Sequence, residues 1–316
     1  MTEATRGVAA MVAACTIWGL SPIYYRLLDH VPPLEVLAHR TLWSLVFFAG
    51  VLALQRRLGA LGRALGSLRA VWVTALAALF ISSNWFLFIY SVQIGRTTQT
   101  SLGYYMFPLV AVLIGRVVFG ERLGRAQWLA VAIAAGAVVV LILGPGTAPW
   151  IALILAGTFG LYGLMKKRQP AGPVVSVTAE VLLLSPIAAA VIWAAHAGAG
   201  GAFGASGQDT ALLMLSGPIT ATPLILFSYA ARRAALATVG LVQYLNPTLQ
   251  FFCAVALFGE PFGLWQAIAF PMIWTALAIY SWAALRPSSM AESPATSAGV
   301  DSAVLTKPRS DGSAKP

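Results

Sequence analysis

The chain consists of long apolar runs separated by short polar gaps. A helix needs about 20 apolar residues to cross the roughly 30 Å hydrocarbon core of a bilayer. Ten runs are long enough, and Pro or Gly stands at many of the breaks between them. The pattern therefore predicts an all-α integral membrane protein with ten transmembrane helices, at residues 7–28, 34–55, 70–92, 99–119, 126–144, 148–165, 174–195, 210–231, 235–258 and 262–285.

The fourth and ninth runs repeat one pattern at a constant offset of 139 residues. Tyr105 corresponds to Tyr244, Pro108 corresponds to Pro247, and a Gly-Glu pair ends both runs. Internal duplication in an almost wholly hydrophobic chain is typical of secondary transporters built from two structural repeats. We therefore expect one half of the chain to be a structural copy of the other.

The distribution of positive charge predicts the orientation. If the ten spans alternate in direction, 17 of the 20 Lys and Arg residues lie on the side of the N-terminus. Cytoplasmic loops carry such an excess, so both termini are predicted to be cytoplasmic. With five spans in each half, the repeat at 145–286 is inverted relative to the repeat at 1–144. Residues 287–316 lack periodicity and are rich in Ser, Pro, Ala and Asp, which predicts a disordered cytoplasmic tail.

Composition excludes other classes of protein. The chain is 59% hydrophobic and 9% charged, whereas a soluble domain carries roughly 25% charged residues. Its net charge of +10 comes from residues in short gaps and not from a basic stripe with aromatics, so we reject nucleic-acid binding. Cys15 and Cys253 lie in apolar runs without a C-x-x-C motif or a His cluster, and no nucleotide motif is present. We expect neither a metal nor a cofactor, and the oligomeric state stays open.

Two ionisable residues fall well inside predicted spans. Arg40 and Glu180 each lie about 9 Å along their helices, at equivalent positions of the two repeats. Charges at that depth are costly and face a cavity or a partner. One interpretation is that Arg40 binds an anionic or polar group while Glu180 is a proton or cation site. The alternative is a structural ion pair or hydrogen-bond network between their helices. His39 fits either scheme, or simple packing.

The repeated prolines are the second pointer to a site. Pro108 and Pro247 each remove a backbone hydrogen bond, and matching breaks in two halves indicate where a transporter binds its substrate. The alternative is a kink needed only for packing. Nearby polar candidates for the substrate path are Tyr104, Tyr105, Gln243, Tyr244 and Asn246, with Asn84 and Trp85 in the third span.

Other polar and aromatic residues have simpler interpretations. Glu35 lies in the first turn of the second span, where a carboxylate suits the helix dipole. Glu121 and Glu260 are predicted to cap the helices that follow them, although either could form a gate contact. Trp18, Tyr24, Tyr25 and Tyr162 are candidates for cavity aromatics, and equally for packing or an interfacial belt.

Several ordered motifs resemble the RarD branch of the EamA family, in the drug/metabolite transporter superfamily. The resemblance runs across residues 5–285 and includes Ile17-Trp18-Gly19, His39-Arg40, Asn84-Trp85, Ser101-Leu102-Gly103-Tyr104, Pro108-Leu109, Tyr162-Gly163-Leu164, Gln243-Tyr244 and Pro247-Thr248-Leu249. It implies two EamA repeats, ten spans, a plasma-membrane location and efflux of a small molecule, with chloramphenicol-like compounds as one candidate. Phe107 departs from the Asn that the family carries there.

These observations predict a secondary active transporter that exports a small metabolite or drug by alternating access, with a proton gradient as a candidate energy source. The predicted partners are a small-molecule substrate and the lipid bilayer. A non-transporting receptor or scaffold and a membrane enzyme are the alternatives. An enzyme would need a nucleophile with its base or a metal cluster, and the sequence offers neither.

Overall fold

The computed structural model describes residues 2–120, 123–144, 149–167, 169, 171–198, 200–234 and 236–285. These residues form helices and connecting loops, with a single isolated bridge between Phe203 and Ser206. In the first half the helices are α1 (Glu3–Arg26), α2 (Pro33–Leu54), α3 (Gly59–Ala64), α4 (Leu68–Gln93), α5 (Thr97–Phe119) and α6 (Arg125–Leu143). In the second half they are α7 (Trp150–Lys167), α8 (Pro173–Ala197), α9 (Gly207–Ala231), α10 (Leu236–Val242), α11 (Leu245–Phe252) and α12 (Leu264–Leu285), with a π-helical turn at Cys253–Leu257.

Eight of the described helices are long and apolar enough to cross a membrane, namely α1, α2, α4, α5, α6, α8, α9 and α12. Helix α7 is apolar but shorter, and the ninth predicted span is divided among α10, α11 and the π-helical turn. The predicted all-helical membrane fold is confirmed. The count of ten crossings stays a prediction, and the predicted tail at 287–316 lies outside the described residues.

Local sequence explains where several helices begin. Helices α2 and α8 both begin at a proline, Pro33 and Pro173, whose fixed φ suits the first turn and whose missing N–H costs nothing there. Helices α4 and α9 begin after Ser67 and Ser206, whose hydroxyl oxygens accept hydrogen bonds from Ala70 N at 3.2 Å and Asp209 N at 2.9 Å. Short polar and proline-containing gaps therefore set the limits of the apolar helices.

The two repeated prolines have different surroundings. Helix α5 continues without a break through Pro108, whereas the ninth segment is interrupted between Val242 and Leu245, just before Pro247. A π-helical turn then follows α11. The predicted break is present in one half and not in the other, because a neighbouring helix can compensate for the hydrogen bond that a proline removes.

Contacts between helix termini define two ends of the bundle. The near end is the end of the bundle at which α1 begins. It includes Glu3, whose Oε2 lies 2.8 Å from Arg233 Nε. We call the far end the one where α1 stops, which includes Arg26 and Thr97. The pairs α5–α7, α6–α12, α2–α8 and α2–α9 make the most extensive helix contacts.

Glycines permit the closest of these contacts. At Gly217 on α9, an added Cβ would lie 2.5 Å from the carbonyl oxygen of Trp43 on α2. At Gly103 on α5, it would lie 2.9 Å from the carbonyl oxygen of Ala152 on α7. Small residues at such crossings let helix backbones approach in a bilayer, where packing and not the hydrophobic effect drives association.

We predict that Gly217→Ala lowers the midpoint of thermal unfolding in detergent. The new methyl group would collide with the backbone of Trp43, and overpacking of this kind costs about 1–3 kcal/mol. Gly157→Ala is the matched control, because an added Cβ there has nothing within 4 Å. Equal midpoints for the two variants would contradict the close crossing of α2 and α9.

Candidate substrate cavity

A cavity of about 930 Å³ lies between the two halves of the bundle. Nine of the 12 site residues predicted from sequence line it: Arg40, Asn84, Trp85, Tyr104, Pro108, Gln243, Tyr244, Asn246 and Pro247. They come from α2, α4, α5 and the interrupted ninth segment. The structure thus brings together residues that lie up to about 200 positions apart in the chain. Their roles in transport remain predictions.

Three predicted site residues lie elsewhere. The His39 ring stacks on Phe203 with centroids 5.0 Å apart, in contact with the loop between α8 and α9. The Tyr105 hydroxyl shares a 2.7 Å hydrogen bond with Thr248 Oγ1, and its ring packs against Phe270. Glu180 lies behind the cavity wall with 0% exposure. His39 therefore has a packing contact, which was one of its interpretations from sequence, whereas the packing of Tyr105 was not predicted.

Arg40 lies on α2 and is 7% exposed. Its guanidinium carbon is 4.1 Å from the ring centroid of Trp85 and 5.7 Å from that of Tyr25. Its Nε is buried and has no hydrogen-bond partner among the described residues. Aromatic faces attract a cation, and this attraction is strongest where water is excluded. Two rings therefore stabilise and orient the Arg40 charge without neutralising it.

The ion-pair interpretation made Arg40 the partner of Glu180, but the partner in the structure is Lys166. Lys166 Nζ donates a hydrogen bond to Glu180 Oε1 and another, at 2.6 Å, to Ser176 Oγ. The Tyr162 hydroxyl donates to Glu180 Oε2 at 3.2 Å. Lys166, Tyr162 and Ser176 line the cavity, so they separate Glu180 from it. The alternative of an ion pair between Arg40 and Glu180 is not what the structure contains.

Hydrogen bonds of Asn84 link three helices, α4, α5 and α7, beside the cavity. Its amide nitrogen donates to Leu155 O at 3.0 Å and to Thr158 Oγ1 at 3.1 Å, both on α7. Its amide oxygen accepts a 3.0 Å hydrogen bond from the Tyr104 hydroxyl on α5. A buried amide with both ends bonded holds its neighbours in a defined arrangement. Asn84 therefore positions the Tyr104 ring in the cavity wall.

The cavity extends toward the near end of the bundle. Its lining includes Ala171 and Pro173 at the beginning of α8, and Tyr280 and Ser281 late in α12. None of the described residues in the far-end loops belongs to the lining. Among the described loop residues, the lining therefore includes near-end positions and no far-end ones.

Comparison with known proteins is consistent with this architecture. The EamA-like transporter family matches residues 5–143. Protein RarD of Streptomyces exfoliatus is 42% identical over 286 residues, which is 90% of each chain. An uncharacterized transporter of Vibrio cholerae is 38% identical over 280 residues, covering 88% of this chain and 93% of the relative. The chain belongs to the EamA-like transporter family. A solved crystal structure with 19% identity and a TM-score of 0.59, covering 89% of this chain and 98% of its own, shares the fold.

In this EamA-like transporter, the far end is closed by buried carboxylates. Glu260 accepts hydrogen bonds from Thr97 N at 2.6 Å, Thr98 N at 2.7 Å and Thr98 Oγ1 at 2.8 Å. Glu260 therefore caps α5, and the prediction that it caps the following helix is wrong. The N–H groups at a helix start have no partner within the helix, and a carboxylate satisfies two of them at once. Glu121, its repeat equivalent, lies outside the described residues.

Glu35 also reaches away from its own helix. Its Oε1 accepts a 2.7 Å hydrogen bond from Ala202 N in the loop between α8 and α9. Glu35 is 4% exposed, so this contact ties the beginning of α2 to a loop of the second half. The helix-dipole interpretation from sequence did not include this partner.

Sequence reasoning missed Lys166. The run Lys166-Lys167-Arg168 was interpreted as a basic flank on the cytoplasmic side. A signal was nevertheless present, because Lys166 lies four residues after Tyr162, and residues four apart share one face of a helix. Tyr162 was a candidate cavity aromatic, so the same face of α7 carried Lys166 inward.

We predict that Glu260→Ala increases hydrogen exchange of the Thr97 and Thr98 amides and lowers stability in detergent. Loss of a helix cap typically costs about 0.5–2 kcal/mol. Glu260→Gln keeps one oxygen acceptor and should have a smaller effect. Asp29→Ala, which removes an exposed far-end carboxylate, is the control. Equal exchange at the beginning of α5 in the Glu260→Ala and Asp29→Ala variants would contradict the cap.

Proposed function

We propose that this EamA-like transporter is a secondary exporter that moves a small molecule across the plasma membrane by alternating access. The cavity between the two halves carries this proposal. It is large enough for a drug-sized ligand, is lined by aromatic rings with a few buried polar groups, and extends toward one end only. A scaffold has no need of such a compartment, and the transport assays below distinguish an exporter from a receptor that only binds its ligand.

The near end is proposed to face the cytoplasm, with both termini on that side. The support is the excess of Lys and Arg in the near-end connections. On this orientation the structure represents an inward-facing state, with a substrate path that begins between α7, α8 and α12. With five spans in each half, the second repeat, at 145–286, is proposed to be an inverted copy of the first, at 1–144.

Reporter fusions test the orientation. Fusions after Arg69, after Lys167 and in the tail at 287–316 are expected to be cytoplasmic. A fusion within 198–207 is expected to be external. A cytoplasmic signal from 198–207 would contradict the inverted repeat, because the seventh predicted span would then not cross the membrane between Lys167 and this loop.

Glu180 is proposed as the proton site. It is the carboxylate that the wall residues Lys166 and Tyr162 connect to the cavity. A proton on Glu180 removes its negative charge, which releases Lys166 toward the cavity and changes the charge that a substrate meets. Proton binding and substrate binding at neighbouring groups would in this way be coupled.

We predict that Glu180→Gln abolishes uphill transport driven by a pH gradient in proteoliposomes. The amide keeps the shape of the side chain but cannot exchange a proton, so substrate exchange without a gradient should persist. The substrate for this assay comes from metabolite profiling of a deletion strain against an overexpressing strain. Transport at the wild-type rate would show that Glu180 is structural.

A double variant separates coupling from folding. Removing one member of a buried ion pair costs about 3–5 kcal/mol because the other charge is left unpaired, whereas replacing both is often neutral. The double variant Glu180→Gln with Lys166→Met should therefore fold well and still fail to couple transport to the gradient. If neither overexpression nor reconstitution moves any compound, the exporter assignment itself is wrong.

A further inference from the structure

Arg40 is a cation without a counter-charge. The three buried carboxylates of the described residues all have other partners: Glu35 binds Ala202 N, Glu180 binds Lys166, and Glu260 binds the beginning of α5. No Asp or Glu belongs to the described lining of the cavity. A charged side chain within a membrane-spanning bundle is costly unless something compensates for it. Among the described residues only the rings of Trp85 and Tyr25 compensate for the Arg40 charge, and an anion that enters the cavity would supply the counter-charge.

The geometry of Arg40 suits an anionic group. Trp85 and Tyr25 lie against the guanidinium, which leaves its N–H groups as unused donors. No hydrogen bond from Arg40 side-chain nitrogens occurs within the described structure, and the buried Nε has no acceptor at all. A planar guanidinium fork held by an aromatic ring matches the two oxygens of a carboxylate, and such charge-assisted pairs are stronger than neutral hydrogen bonds.

The charge balance of the cavity gives the charge of its occupant. Lys166 contributes one positive charge, which Glu180 neutralises, and Arg40 contributes one more. The net charge of the lining groups and their direct partner is thus +1, which one negative charge would balance. The rest of the wall is largely apolar and aromatic, and it includes Trp18, Phe107, Phe159 and Phe227. Phe107 and Phe159 pack edge to face at 4.7 Å, so they form a fixed apolar surface on the α5–α7 side.

We propose that the cavity binds organic monoanions, with a carboxylate or similar group on Arg40 and an aromatic or other apolar body against the rings. This proposal rests on the proposed function in one respect only, namely that the bound anion is the substrate that the protein transports. On this proposal the natural substrates are anions, which distinguishes them from neutral drugs such as chloramphenicol.

Matched pairs of acids and amides test the proposal on the purified full chain in detergent. The probes are phenylacetate with phenylacetamide, indole-3-acetate with indole-3-acetamide, and 1-naphthoate with 1-naphthamide. Equilibrium dialysis of the radiolabelled compounds gives Kd for each. We expect the acid to bind roughly tenfold or more tightly than its amide in at least one pair, since a hydrogen bond to a charged group is worth more than a neutral one.

Variants at Arg40 assign the preference to this side chain. Arg40→Gln should remove the difference between acid and amide, and Arg40→Lys should keep part of it. Arg57→Gln, which removes an exposed positive charge in the loop after α2, should leave the preference unchanged. If Arg40→Gln does not fold, the acid–amide comparison in the unmodified chain and in Arg40→Lys still decides.

Two outcomes overturn the proposal: equal binding of acid and amide in every pair, or an undiminished preference in Arg40→Gln. Failure of the exporter assignment looks different. In that case the acids bind through Arg40, yet proteoliposomes accumulate none of them and no other compound. Transport of neutral chloramphenicol together with an absence of acid preference would retain the exporter and reject the monoanion.

Discussion

Inside a membrane-spanning bundle, water is not available to solvate a charge or an unpaired backbone group, so each must find a partner within the protein. Glu260 satisfies two N–H groups at the beginning of α5, Glu35 holds a loop N–H of the second half, and Glu180 pairs with Lys166. The Glu260 and Glu35 contacts join residues 163 and 167 positions apart, whereas the Glu180 contact joins the consecutive helices α7 and α8. Arg40 differs from these carboxylates, because aromatic faces orient its charge without neutralising it.

The partners of these carboxylates also divide the bundle into two functional ends. Glu35 and Glu260 hold the far end together, where Arg26 additionally donates hydrogen bonds to the carbonyl oxygens of Val92 and Gln93, each at 3.3 Å. The cavity extends instead toward the near end. An exchange of these roles between the two ends is what alternating access would require. The far end also contains a packed apolar cluster that includes Leu28, Val31, Val36 and Val92, so opening it requires apolar as well as polar contacts to break.

The two halves repeat in sequence, but their central segments differ in detail. Helix α5 runs continuously through Pro108, while the equivalent segment is interrupted before Pro247. Phe107 adds an apolar ring at one site, whereas its repeat equivalent, Asn246, adds a polar amide at the other. At this pair of positions, one repeat therefore contributes an aromatic ring to the cavity lining and the other contributes a polar amide.

The sequence by itself determined the class of the protein. Apolar runs of about 20 residues can only be membrane helices or a deep core, and the helices found begin at the prolines and polar gaps that the chain shows. It also located most of the cavity, because residues such as Arg40 and Asn84 are too costly in lipid to lie anywhere but inside. The internal duplication at an offset of 139 residues predicted two repeats, and the family motifs implied the same.

Only the tertiary structure decided which polar groups meet. Lys166 belonged to a basic flank by its neighbours in sequence, yet helix α7 carries it to Glu180. Glu260 was expected to act on the next helix, and it acts on α5, about 160 residues earlier. Tyr105 and its repeat equivalent Tyr244 match in sequence, yet only Tyr244 lines the cavity. Periodicity cannot resolve these cases, because in uniformly apolar helices every face is similar and the rotation of each helix is set by its packing against neighbours.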